Sequence, residues 1–143
     1  MEFNLVGTGL ELVGTAIKEL NVANNIADIE NEGKRSLGLN INEPTFQKTD
    51  DVIYAELVIS FEIELEQEEG HKCNIKLSLE GAFLSDENAE EEEFKELVII
   101  NGAAALISIA RGKIEAISAN IFNNGKIVIP FINVVEYYKS LEE

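Results

Sequence analysis

Four glutamates stand at alternate positions, Glu62, Glu64, Glu66 and Glu68, in a chain of 143 residues. Carboxylates grouped in this way serve general acid–base catalysis or bind Ca²⁺, and the stretch from Glu62 to Glu69 is where either chemistry would sit. A catalytic acid, however, needs a shaped pocket and a partner whose pKa is pushed away from its own. Glutamates alternating along a strand share its outer face, where they stay solvated and discourage edge-to-edge pairing. Other reactive side chains are few. His71, the only histidine, follows Gly70 in a charged loop with no second ligand nearby, and reads as a solvated loop residue. Cys73, the only cysteine, alternates with Ile75 and Leu77 and reads as a small core residue. No serine or threonine lies in a nucleophile-elbow pattern. Gly7-Thr8-Gly9-Leu10-Glu11 lacks both the lysine and the spacing of a phosphate loop. These residues argue against an enzyme and imply neither a metal nor a cofactor.

The elements that carry these residues divide by period. From Val52 to Glu66, Ile53, Ala55, Leu57, Ile59, Phe61, Ile63 and Leu65 alternate with more polar residues, which predicts a long strand with one buried face. Lys72 to Phe83 predicts a second strand, and Gln67 to Gly70 a hairpin loop between them. Leu37, Leu39 and Ile41 predict a shorter strand, limited by Pro44. Leu10 to Val22 holds no single clean period, which fits a strand bulged or bent near Gly14 and leaves a helix open. The acidic run Asp86 to Glu93 fits a solvated loop and the first turn of a helix, whose free amides favour acids. Phe94, Leu97, Val98 and Asn101 would line that short helix, and Gly102 would break it. Ala103, Ile107, Ala110, Ile114, Ile117 and Ile121 recur at helical spacing, widened by Leu106 and Ile109, so this second helix must be covered by a sheet or a partner. Asn123-Asn124-Gly125 ends it. Lys126 to Ile129 is a short apolar segment closed by Pro130, and Ile132 to Leu141 reads as a terminal helix with Val135 and Tyr138 inward. The pattern predicts an α+β fold: a four-stranded antiparallel sheet with helices packed on one side, in a single domain over 1–143.

Composition narrows the function. With 11 basic and 27 acidic residues the net charge is −16, which argues against nucleic acid and against an anionic membrane surface. A hydrophobic fraction of 45% is too high for a disordered chain. No run approaches the roughly 18 uninterrupted apolar residues of a membrane span, so no membrane insertion is expected. Met1 to Leu20 lacks the basic start of a signal peptide. With one free thiol as well, the expected location is cytoplasmic.

Read in order, several segments resemble the protein-export chaperone family SecB. Ile17-Lys18-Glu19-Leu20-Asn21-Val22 is similar to its opening strand, and Asp51-Val52-Ile53-Tyr54-Ala55-Glu56-Leu57 to the start of its third strand. Glu80-Gly81-Ala82-Phe83 resembles the end of its fourth strand, Ala110-Arg111 its alanine–arginine helix step, and Ile129-Pro130-Phe131-Ile132-Asn133-Val134 the lead-in to its last helix. The resemblance runs from about Ile17 to Tyr138 and rests on order and spacing more than on any one motif.

The resemblance implies an ATP-independent chaperone that holds unfolded or precursor polypeptides in apolar grooves. It also implies a homo-oligomer, a dimer or a tetramer built as a dimer of dimers with helices at the interface. By position, Leu37, Leu39 and Ile41 match the second-strand aliphatics of the client groove, with Ile132 and Val135 placed nearby. In the family an acidic sheet face docks the SecA motor. Glu19 keeps that acidic character, but Ala23 stands where a second acid is expected, and Asn74 and Lys76 fill the other matched positions. The helix step lacks the usual aromatic before Ala110, and the longer tail that contributes to motor binding is expected to be missing after Glu143. These departures support SecB-like folding and oligomerisation better than a partnership with SecA, and leave SecA and a different partner, such as an antitoxin, both open. Two rivals stand beside the chaperone: an adaptor of the same fold with one dedicated partner, and a carboxylate enzyme or calcium site on the glutamate strand.

Overall fold

A computed structural model describes residues 9–30, 32–68 and 70–142. Residues 7 and 8 of the glycine-containing N-terminal segment and Glu69 of the glutamate stretch lie outside the described residues.

Strand β4 (Ile53–Glu66) and strand β5 (Lys72–Ser85) form the hairpin that the alternation predicts. They pair antiparallel from Glu66↔Lys72 to Tyr54↔Leu84 without a slip. Gly70, at φ +87°, supplies the left-handed turn that side chains resist. The odd-numbered residues of β4, Ile53 to Leu65, are all buried, and so are Cys73, Ile75, Leu77 and Leu79 of β5. Glu62 and Glu64 stand exposed on the opposite face.

The sheet order is β1-β5-β4-β2, with β1 (Leu10–Asn24) and β2 (Lys34–Ile41) at the edges. A fifth strand, β3 (Thr45–Lys48), corrects the expected four. It continues along β4 where β2 leaves off, Ile41↔Ile59 giving way to Thr45↔Glu56. Pro44 has no N–H to offer a ladder, so it interrupts this edge rather than ending it. Phe46 of β3 meets Phe94 edge-on at 6.3 Å. β1 is a strand throughout, not a helix. Its period is broken by register shifts between Leu12 and Gly14 and between Ile17 and Glu19, each of which swaps the faces of the following residues.

Helix α1 (Glu91–Leu97) is capped by the Glu90 carboxylate, which accepts from the N–H of Glu92 and Glu93. Gly102 does not break the helix. A π-helical turn, Val98–Gly102, joins α1 to α2 (Ala103–Ile121) as one helix of 31 residues. Gly102 is buried, and a Cβ there would sit 3.2 Å from the Phe83 ring. Glycine thus serves close packing here, not termination. On the sheet side Gly81 plays the same part: a Cβ would lie 2.5 Å from Leu106. By length and composition this helix could cross a membrane; here Leu106, Ile107, Ala110 and Ile114 are buried, on the face turned to the sheet. Ile117 and Ile121 are half-buried.

Cys73 is 1% exposed, and burial pushes its thiol pKa up. The thiolate is the reactive form. An aromatic disulfide reagent should therefore find no reactive thiol at Cys73 in the native protein and should titrate it fully in denaturant; rapid native reaction would place Cys73 outside the core.

Candidate functional site

After α2 the chain returns across the sheet as an extended segment, residues 123–133. Alternation persists in it: Ile127 and Ile129 are buried, while Val128 is 52% exposed. Two bonds to α2 hold it in place. Ser118 Oγ accepts from the Ile127 N–H at 2.7 Å, and Arg111 Nε donates to the Ile129 carbonyl at 2.8 Å. The Arg111 guanidinium also lies 4.2 Å from the centre of the Phe131 ring, which is 89% exposed. The end of α2 is tied down too, with Asn123 N–H donating to the Ala27 carbonyl and Asn124 Oδ1 accepting from the Ile29 N–H.

Between this segment and β2 lies a groove of about 130 Å³ with almost wholly apolar walls. Leu37 lines one side, Val128 and Pro130 the other, and Ile63 and Leu65 of β4 the floor. Arg35 and Glu64 are the charged residues on its rim.

The β2 edge beside it is open. Asn42 N–H donates to the Val58 carbonyl, so the even-numbered residues of β2 turn their backbone groups toward β4. The odd-numbered ones, Arg35, Leu37, Leu39 and Ile41, turn theirs outward. At Ile41 the N–H donates to the Tyr137 hydroxyl at 3.1 Å. Among the described residues, Arg35, Leu37 and Leu39 make no hydrogen bond from N–H outside the sheet.

Of the expected client residues, only Leu37 lines the groove. Leu39 is half-buried and packs on the core opposite Phe61. Ile41 is 8% exposed and belongs to the core, because the sheet and Tyr137 close over it. Ile132 is half-buried against the core. Val135 is not inward: α3 (Val134–Leu141) buries Val134 instead, and Val135 is exposed outside the groove lining. Val128, Pro130 and Tyr137 escape sequence reasoning as site residues. The in–out alternation of residues 127–129 is the one signal that marks a chain lying on a surface.

Glu19 stands exposed on the open face of the sheet, opposite the helices. It accepts from Asn21 Nδ2 at 2.8 Å and lies 3.8 Å from Lys76 Nζ. The register sets Ala23 against Asn74 and Asn21 against Lys76, so a neutral pair and a cation stand beside Glu19 on this face. On the same face Glu66 lies 3.9 Å from Lys72. Among the described residues, no group of three His, Cys, Asp or Glu side chains is placed to hold a metal ion. His71 is exposed in its loop, 3.6 Å from Glu68.

The antiparallel sheet, the long helix on one face and the extended return make up an α+β fold of the SecB-like kind. Among solved structures, the chain is similar to the SecB-like chaperone Rv1957 of Mycobacterium tuberculosis, in complex with a ChAD peptide from the Rv1956 HigA1 antitoxin. The TM-score is 0.57 at 12% identity, over 87% of this chain and 91% of that one, a likeness of fold. No protein-family model matches the chain, and no curated protein matches it in sequence.

Proposed function

We propose that the chain is a divergent SecB-like chaperone that holds extended apolar polypeptide segments without ATP and without chemistry. The observation that carries this is the open β2 edge beside the apolar groove. An unfolded segment laid along β2 would satisfy its backbone on the outward groups of Arg35, Leu37 and Leu39 and drop alternate side chains toward Leu37, Val128 and Pro130. Apolar burial gives about 25 cal/mol per Å² whatever the sequence, and edge hydrogen bonds are equally indifferent to it. The pair suits a binder of many clients. The net charge of −16 would keep such a protein from self-association through its own grooves.

A second reading has an observation of its own. A structural neighbour is a SecB-like chaperone in complex with a peptide from an antitoxin, and one dedicated peptide could use the same edge here. An antitoxin segment is then the partner, rather than export precursors or SecA. Lys76 beside Glu19 weakens the acidic face on which a SecA-like partner would depend.

Assembly into a dimer or tetramer belongs to the same proposal. On β1, Leu12, Ile17, Leu20 and Val22 are 39%, 43%, 42% and 43% exposed on an edge strand of 15 residues, which a lone subunit would leave prone to uncontrolled pairing. The outer face of α2 presents Ala104, Ser108, Gly112 and Ala116, exposed at steps of four, small enough for a second helix to approach closely. A cytoplasmic location is proposed on the free thiol and composition.

Light scattering of two unrelated denatured proteins, diluted with and without the chain, tests the first reading. Suppression of both, with a client-bound oligomer in size-exclusion chromatography with multi-angle light scattering, is expected. Suppression of neither, with capture of an antitoxin-type peptide, would assign the edge to one dedicated partner.

A further inference from the structure

We infer that the Tyr137 side chain is the stop on the β2 edge, setting how far a docked segment can pair; this rests on the docking proposed above. The outward backbone groups of β2 recur at Arg35, Leu37, Leu39 and Ile41, one step apart along the strand. A client strand could in principle use all four. At Ile41 the place is taken, since the Tyr137 hydroxyl accepts its N–H at 3.1 Å and the residue is 8% exposed. The hydroxyl does for Ile41 what a client carbonyl would do for the residues before it.

Tyr137 is held there by more than this bond. Asn133 caps α3, its Oδ1 accepting from the Glu136 N–H at 3.1 Å, and Val134 is 5% exposed in the core. The ring meets Tyr138 edge-on, centroids 5.4 Å apart. One turn of a short helix is thereby pinned across the end of an open edge. Exposure falls along this edge toward Tyr137, from Leu37 at 39% through half-buried Leu39 to Ile41 at 8%. The fold thus selects a segment by length and register as well as by apolar character.

The test uses fluorescent peptides of alternating valine and lysine with blocked ends. One form is long enough to pair with Arg35 through Leu39, and the other is longer by a single valine–threonine step, so that both carry the same charge. Fluorescence anisotropy should show the wild-type chain binding both with equal affinity. Tyr137→Ala removes ring and hydroxyl together, and should bind the longer peptide about fivefold more tightly than the shorter, the worth of one further backbone hydrogen bond. Tyr137→Phe keeps the ring, so it should stay blind to length while the Ile41 amide exchanges faster. A merely structural role would change both affinities together and leave their ratio alone. The inference is overturned if the wild type already prefers the longer peptide, or if a folded Tyr137→Ala shows no preference. Should the alanine variant not fold, the wild-type ratio decides alone: equal affinities support the stop, and a fivefold preference refutes it. Binding of neither peptide by any variant would instead remove the docking proposal itself.

Discussion

Ile114→Asp will yield a chain that does not fold. Ile114 is wholly buried in the middle of α2, among the residues through which the helix meets the sheet. Truncating such a residue to alanine alone costs about 2–5 kcal/mol. Aspartate adds a polar group with no partner among the aliphatic residues there, and it must either stay charged at high cost or take up a proton, each a penalty of about 2 kcal/mol or more. Domains of this size have roughly 5–15 kcal/mol in all, and the two losses together are of that order. Circular dichroism should show loss of the helical signal, and urea titration no cooperative transition. A variant that melted within a few degrees of the wild type would mean that α2 is not seated on the sheet as described.

Leu37→Asp should do the opposite, keeping the fold and removing the binding. Leu37 is 39% exposed and forms the β2 wall of the groove. A charge there keeps access to water in the free protein, so the chain should still fold, with a melting temperature lower by only a few degrees. In the complex the same carboxylate would be pressed against client side chains. Desolvating that carboxylate without a partner costs about 2 kcal/mol or more, so affinity for an extended apolar peptide should fall by about thirtyfold or more. Leu39→Asp, two residues on, is a different experiment, because Leu39 packs on the core opposite Phe61 and a charge there strikes the fold. Unchanged peptide affinity in Leu37→Asp would move the binding site elsewhere.

What could be read in advance follows from the range of the interactions concerned. β4 and β5 were legible because their alternation is local and unbroken, and the turn at Gly70 needs only its neighbours. β1 blurred because its two bulges change which face each residue takes, and a bulge is set by the partner strand. β3 was hidden by its four residues and by Pro44, whose effect on an edge depends on what continues beyond it. Gly102 misleads for a related reason: a glycine marks close approach or a turn, and only the Phe83 ring decides between them. The groove was half legible. Leu37 is matched to the groove only through the family resemblance, together with Leu39 and Ile41, while the opposite wall at Val128 and Pro130 arrives from about ninety residues away, and nothing in spacing alone joins the two. Ile41, Ile132 and Val135 were matched to the site by position along the chain, which cannot say which side chain a covering helix will bury.

The strand order carries a consequence for how the chain is made. β1 is synthesised first, yet its partner is β5, with pairs from Asn24↔Cys73 to Leu10↔Ser85. At about 5–20 residues per second, roughly 3–15 s pass between the emergence of a β1 residue and that of the residue it pairs with. Through that interval Leu12, Ile17, Leu20 and Val22 have no sheet to join. The hairpin of β4 and β5 can close over its short loop at once, whereas β1 must wait and then pay the entropy of a long closure. The nascent chain is thus, for some seconds, the kind of extended apolar segment that we propose its own folded form holds.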